Sequence, residues 1–269
     1  MNHQPKAGSD PAEETDWMIR PAQPDDAAAV AELYGVTRRA AIPAMPTPVH
    51  GPEEDQRYFA ALLAGGFDLT AAVDGTSGVG TETWVADRDG VVLGFAVLQP
   101  GWLHSLYVHP EEAGSGIGSA LLEVAKARRP DGFSLWVFTS NLPARGFYAR
   151  RGLVELEATD GRDNEERAPD VKMTWPGREP VEFYRRLIDD IDDQLGLLLG
   201  QRAALTAAVR RHRQQFPPDA GSDLRDRERE LAVVARIADR APALGSARVG
   251  RIVHAIIEES VSAADHGPA

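Results

Sequence analysis

Two sets of residues in this sequence have types and spacings suited to chemistry. The first is the run Leu106–Leu122, LYVHPEEAGSGIGSALL. An apolar strand pattern enters a turn holding Gly114, Gly116 and Gly118, and a helical pattern follows. Glycines let a backbone approach a ligand closely, and the unpaired N–H groups at a helix start attract an anion such as pyrophosphate. The spacing G-S-G-I-G is neither the dinucleotide G-x-G-x-x-G nor a P-loop, because no Gly-Lys-Ser/Thr follows. A turn with no ligand fits it as well. The second set lies on helical patterns further along. Tyr184, Ile188, Ile191, Leu195, Leu198, Leu205 and Val209 form an apolar seam, and Arg202 falls on that seam. A guanidinium facing packed apolar groups is costly unless it meets an anion. Arg213 lies on nearly the same face, about 16 Å along the axis from Arg202, so the two could converge on a small dianion. An internal Arg–Glu pair is the other reading. Arg185 is about 25 Å from Arg202 and turned by roughly 100°, so it could join that site only from a partner chain. Asp226 and Glu230, four apart, share a helix face, either as an ordinary solvated pair or with Glu230 turned to the core beside Val233, Val234 and Ile237. Ser260 falls among Ile252, Val253, Ile256 and Ile257, where a serine commonly bonds the carbonyl four residues back.

The elements that must position these residues divide the chain. Residues 1–16 contain no apolar run and read as a disordered tail. Residues 17–175 alternate strands and helices. Strands are expected at Met18–Arg20, Thr83–Ala86, Val91–Leu98, Leu103–Val108, Phe133–Phe138, Leu153–Glu157 and Val171–Thr174, with a hairpin at Asp89–Gly90. Helices are expected after a cap at Asp25 or Asp26, at Ser119–Arg128 and at Pro143–Arg150. This order implies an α/β domain on one mixed sheet. Residues 176–180 form a turn-rich linker. Residues 181–265 read as all-α: a long helix over Val181–Arg213, a break at Gln214–Arg225, then helices at Asp226–Asp239 and Ala247–Ala264.

Composition narrows the chemistry. The chain has no cysteine, which excludes disulfides, thiolate metal sites and a cysteine nucleophile, and no metal site is expected. A formal charge of −12 argues against nucleic-acid binding. From Val181 to Ala269 there are thirteen arginines and no lysine. The densest apolar cluster, Leu195–Leu199, is interrupted by Gly196 and is far short of the roughly 20 residues of a membrane span. A soluble cytoplasmic protein is expected.

A further segment, Ser140–Leu153 (SNLPARGFYARRGL), follows the strand Phe133–Phe138. Together with Leu106–Leu122 it makes residues 17–175 resemble the GNAT N-acetyltransferase superfamily. The resemblance implies that acetyl-CoA is the cofactor and a small-molecule amine the acceptor. Amides of Gly114, Ser115, Gly116, Ile117, Gly118 and Ser119 should hold the pyrophosphate, and backbone groups of Leu106 and Val108 should pair with the pantetheine arm. Asn141 should contact pantetheine as well as cap a helix, and Tyr148 should protonate the leaving thiolate. Packing of a helix on the sheet is the plain alternative for Tyr148. The superfamily usually has Arg or Gln where this chain has Ala113. His104 lies on the strand that often carries the general base, and a packed or surface histidine fits it equally. The acid-rich stretch 159–170 could attract a cationic amine or be a solvated loop.

The second half resembles the all-helical, type II chorismate mutases. The likeness rests on Tyr184–Asp192, Gly200–Leu205, Asp226–Glu230 and Ile256–Ser260. It implies a homodimer through the helical domain that rearranges chorismate, or a chorismate-like dianion, to prephenate without a cofactor. Arg202 and the partner subunit's Arg185 should bind carboxylates, with Arg213 near the ether oxygen. Glu230 should accept from the ring hydroxyl with Asp226 nearby, and Arg229 and Ser260 should complete the pocket. Arg213 replaces the more common Lys, and Ala264 stands where Gln or Glu is frequent. A bifunctional acetyltransferase and mutase is therefore expected. The alternatives are a helical half that only dimerises or senses a ligand, or one acting on isochorismate or aminodeoxychorismate.

Overall fold

The computed structural model describes residues 15–65, 80–216 and 227–266. Most of the N-terminal tail, much of the break after the long helix, and Asp226 lie outside the described residues. The chain divides into two units, one ending at Tyr184 and one beginning at Arg185.

The first unit is α/β. Its strands are β1 (Met18–Pro21), β2 (Glu82–Arg88), β3 (Val91–Gln99), β4 (Trp102–Val108), β5 (Phe133–Phe138), β6 (Val154–Ala158) and β7 (Asp170–Trp175). They form one mixed sheet in the order β1-β2-β3-β4-β5-β7-β6. Its helices are α1 (Ala27–Ala40), α2 (Pro52–Leu63), α3 (Ile117–Arg128) and α4 (Leu142–Ala149). β3 is a nearly unbroken apolar run, as a strand covered on both faces requires. Leu121, Leu122 and Ala125 of α3 pack with Phe133, Leu135 and Met173 in one core, and Val30 and Leu33 of α1 pack with Phe59, Phe95 and Val97 in the other. Asp89 and Gly90 both have positive φ, as a tight hairpin needs.

Two local expectations need correction. Helix α2 was not anticipated, although Pro52 at its first position and Glu53, Glu54 and Asp55 in its first turn are start signals. Asp26 does not cap α1 with its side chain. Its carboxylate is held 2.7 Å from Arg20 and accepts the Gln23 N–H at 2.7 Å.

The second unit is all-α. Helix α5 (Pro180–Gln215) runs unbroken, followed by α6 (Arg227–Arg240) and α7 (Gly245–His266). Residues 191–200 of α5 are exposed throughout, including Ile191, Leu195, Leu197 and Leu198. No described helix is long and apolar enough to cross a membrane.

Candidate active sites

The seam between β4 and β5 is the opening in the sheet. The two strands are parallel, and their pairing among the described residues is confined to Trp102 and Ser134, where the Ser134 N–H donates to the Gly101 carbonyl at 2.8 Å. Beyond that point β5 pairs along its length with β7. On its other edge β4 carries a bulge: Leu98 pairs with Leu103, but Val97 pairs with Ser105, so His104 is the extra residue. Bulges bend a strand and re-aim its side chains. Here the bulge lies where β4 leaves β5.

The glycine turn closes one end of this opening. Gly114 and Gly116 both have φ of +90°, a conformation that favours glycine, and Gly116 is the N-cap of α3. The first amides of α3 have no partner within the helix. A cleft of about 680 Å³ is lined by Leu106, Val108, Gly114, Gly116, Gly118, Ser119, Asn141 and Tyr148, among others. Ile117, expected there as well, is fully buried in the core and does not line the cleft. The Ser115 amide is already taken, donating to the Glu112 carbonyl at 3.1 Å. Asn141 caps α4 by accepting the Ala144 N–H at 3.2 Å and also lines the cleft.

Tyr148 is buried and borders both this cleft and a smaller cavity of about 110 Å³ between β4 and β5. Burial first, and the neighbouring Tyr107 second, push its phenol well above the ordinary range, so it keeps its proton. His104 lines the same small cavity, and its Nδ1 lies 3.1 Å from the Ser105 hydroxyl. Its outer surface is exposed, yet enclosure of the ring lowers its pKa and favours the neutral form.

The acid-rich stretch is folded onto itself and onto α1. Asp170 is buried and accepts from Thr159 Oγ1 and from Asn164 Nδ2, while Asn164 also brackets Ala168. Glu166 pairs with the buried Arg38 at 2.7 Å, and Glu165 lies 2.9 Å from His50. Glu165 first, then Glu54, raise the pKa of His50. Glu166 is therefore engaged within the protein.

In the second unit Arg202 stands where its seam position predicts. Its Nη1 donates to the Ile256 carbonyl at 3.1 Å and to the Ser260 hydroxyl. Ser260 is buried and donates to the Ile256 carbonyl at 2.6 Å, the local bond expected of a helical serine. Leu195, Leu198, Leu199 and Arg202 of α5, Val233 and Ile237 of α6, and Val253 and Ile256 of α7 enclose a cavity of about 190 Å³. Glu230 is half-buried, and its Oε1 is buried without a hydrogen-bond partner among the described residues. Arg185 and Arg229 are exposed and Arg213 is half-buried. Because α5 is continuous, Arg185 and Arg202 remain about 25 Å apart in one chain.

Residues 80–155 match the model of the acetyltransferase (GNAT) domain, and residues 184–264 match that of chorismate mutase type II. The chain joins a GNAT acetyltransferase domain to a type II chorismate mutase domain. Among curated proteins, the peptidyl-lysine N-acetyltransferase YiaC of Escherichia coli strain K12 is 32% identical over 96 residues, covering 35% of this chain and 64% of that protein. An uncharacterized N-acetyltransferase of Archaeoglobus fulgidus is 37% identical over 89 residues, covering 28% of this chain and 60% of that protein. The chain thus spans less than two thirds of the length of either relative. Among solved structures, apo YjaB from Escherichia coli matches with a TM-score of 0.46 at 18% identity, over 60% of this chain and 98% of that one. The PaiA N-acetyltransferase of Thermoplasma acidophilum, solved with coenzyme A, matches with a TM-score of 0.43 at 20% identity, over 60% and 98%.

Several residues of the GNAT cleft were not anticipated from the sequence, Thr37 and Arg151 among them. Thr37 of α1 lines it and donates to the Val108 carbonyl at 3.3 Å, and Arg151, just after α4, lines it beside Phe147. Thr37 has no sequence signal, since it sits on a helix whose packing is invisible before folding. Arg151 lies three residues after Tyr148, and its charge was the only clue. No cluster of three or more metal-ligating side chains occurs among the described residues.

Proposed function

We propose that this chain is a bifunctional enzyme: its GNAT domain transfers acetyl from acetyl-CoA to a small amine, and its mutase domain, as a homodimer, converts chorismate to prephenate. The observation that carries the first activity is the β4–β5 opening, with an αL-glycine helix start at one end and a protonated, buried Tyr148 beside it. The helix-start amides would hold the pyrophosphate. The pantetheine arm would lie along the free edge of β4 past Leu106 and Val108. The neutral His104 at the bulge would take the proton of the attacking amine. As the C–N bond forms and the C–S bond breaks, Tyr148 would give its proton to the departing thiolate. Transfer of labelled acetyl from acetyl-CoA to a panel of amines tests this, and no acceptor above the background rate would refute it.

For the second activity the support is Arg202, placed among three helices on a buried serine. It would grip one carboxylate bidentately, and the partner subunit's Arg185 the other. Glu230, whose inner oxygen lacks a partner among the described residues, would accept from the ring hydroxyl. The exposed apolar seam of α5 supports the dimer. One observation favours a second reading, in which the helical domain only dimerises or senses a dianion. Ala264, half-buried on α7, has no side-chain donor for the ether oxygen. Loss of one such donor costs about 100-fold or more in rate.

A further inference from the structure

The glycine turn brings no cation of its own to the anion it is shaped to hold. Ala113 lines the cleft there, and the neighbouring Glu112 is an acid, neutralised by Arg88 at 2.8 Å. A charge of the right sign arrives from another element. Arg150 lines the same cleft but is exposed, whereas Arg151 lines it half-buried. The Arg151 guanidinium lies over the Phe147 ring, 3.9 Å from the centroid, and donates to the Phe147 carbonyl at 3.1 Å. Its other terminal nitrogen donates to the hydroxyl of Ser119, in the first turn of α3. No carboxylate pairs with Arg151 among the described residues. A half-buried guanidinium without a counter-ion is unusual for a structural arginine, which normally meets an acid. The stacked ring and the two bonds fix the plane of its fork beside the first amides of α3, and its remaining donors have no partner among the described residues.

We infer that Arg151 is the cation of the cofactor site, donating to the pyrophosphate alongside the amides of Gly116–Ser119 and supplying the charge that position 113 lacks. This rests on the acetyl-CoA reading and deepens it. A charge-assisted bond of this kind is worth about 10- to 100-fold in affinity. The test is calorimetric titration of the full chain and of its Arg151→Gln and Arg151→Lys variants with coenzyme A, with dephospho-coenzyme A, which keeps the pyrophosphate but lacks the 3′-phosphate, and with pantetheine. Thermal unfolding of each variant is recorded alongside. The expected result is that Arg151→Gln weakens both nucleotide ligands equally, by about 10- to 100-fold, and leaves pantetheine unchanged, while Arg151→Lys recovers part of the loss. Unchanged coenzyme A binding in Arg151→Gln overturns the inference. So does equal weakening of all three ligands, which marks a role in shape alone. Weakening confined to coenzyme A places Arg151 on the 3′-phosphate and overturns the assignment to pyrophosphate. Failure of the parent chain to bind coenzyme A removes the underlying reading itself, a result distinct from the other three.

Discussion

Gly116→Ala separates backbone strain from steric blockage in the GNAT cleft. Gly116 has φ +90° and ψ −14° as the N-cap of α3, and a Cβ there would approach only Trp17, at 3.9 Å. The methyl group therefore has room, and the cost is conformational. Placing an L-residue in the left-handed region costs about 1–2 kcal/mol. If the turn holds its shape, that whole cost appears as lost stability. For a domain of this size each kcal/mol lowers Tm by about 2–4 °C, so a fall of about 2–8 °C is expected. If the turn instead relaxes towards negative φ, stability is kept but the amides after residue 116 no longer converge. Affinity for coenzyme A then falls by about 10-fold or more, since 1.4 kcal/mol is a factor of ten. Thermal unfolding with and without coenzyme A, together with calorimetric titration, measures both quantities. A variant with unchanged Tm and unchanged affinity would refute the assignment of Gly116 to a strained, anion-facing turn.

Other outcomes follow from the same geometry. Tyr148→Phe keeps the buried ring but removes the proton donor, so acetyl transfer should slow by about 100-fold or more with little change in coenzyme A affinity; equal turnover would remove its acid role. The histidine lowered by enclosure is active as the neutral form, so kcat/KM should rise with pH through a value below the usual histidine pKa of about 6.5. His104→Gln should abolish that limb, and a profile identical to the parent's would clear His104 of the task. Leu205 is 68% exposed on the α5 seam, and burying a leucine is worth about 1.5–3 kcal/mol per copy. A two-fold dimer places a substitution there twice, so Leu205→Glu should shift the chain to monomer at micromolar concentration by light scattering. An unchanged mass would show that the seam is not the interface.

What could be read beforehand follows the range of the forces involved. The period of apolar residues foretold β3, β5, α3 and α5; in the first three the pattern agrees with burial, whereas the α5 seam is largely exposed in the single chain. The glycine turn stood out as a short run, Asn141 and Tyr148 came from the resemblance to the GNAT superfamily, and all three line one cleft. The seam position of Arg202 followed from helix geometry alone, and its bond to Ser260 joins two residues 58 apart that only tertiary packing can bring together. The tie between Glu166 and Arg38, 128 residues apart, left no local trace, so the acid-rich loop looked free when it is anchored. The bulge at His104 was hidden for a similar reason, since it exists only in the register between β3 and β4. Arg151 escaped notice because nothing in its neighbours foretells the contact with Ser119.

In the proposed mutase site a guanidinium among three helices grips a dianion. The most direct measurement is conversion of chorismate to prephenate by the full chain and by Arg202→Ala, with acetyl transfer and solution mass recorded on the same samples. Prephenate is expected from the parent and none from the variant, with equal acetyl transfer and equal mass in both. Prephenate formed at the same rate by Arg202→Ala, or by neither protein, would rule out Arg202 as the residue that holds the dianion.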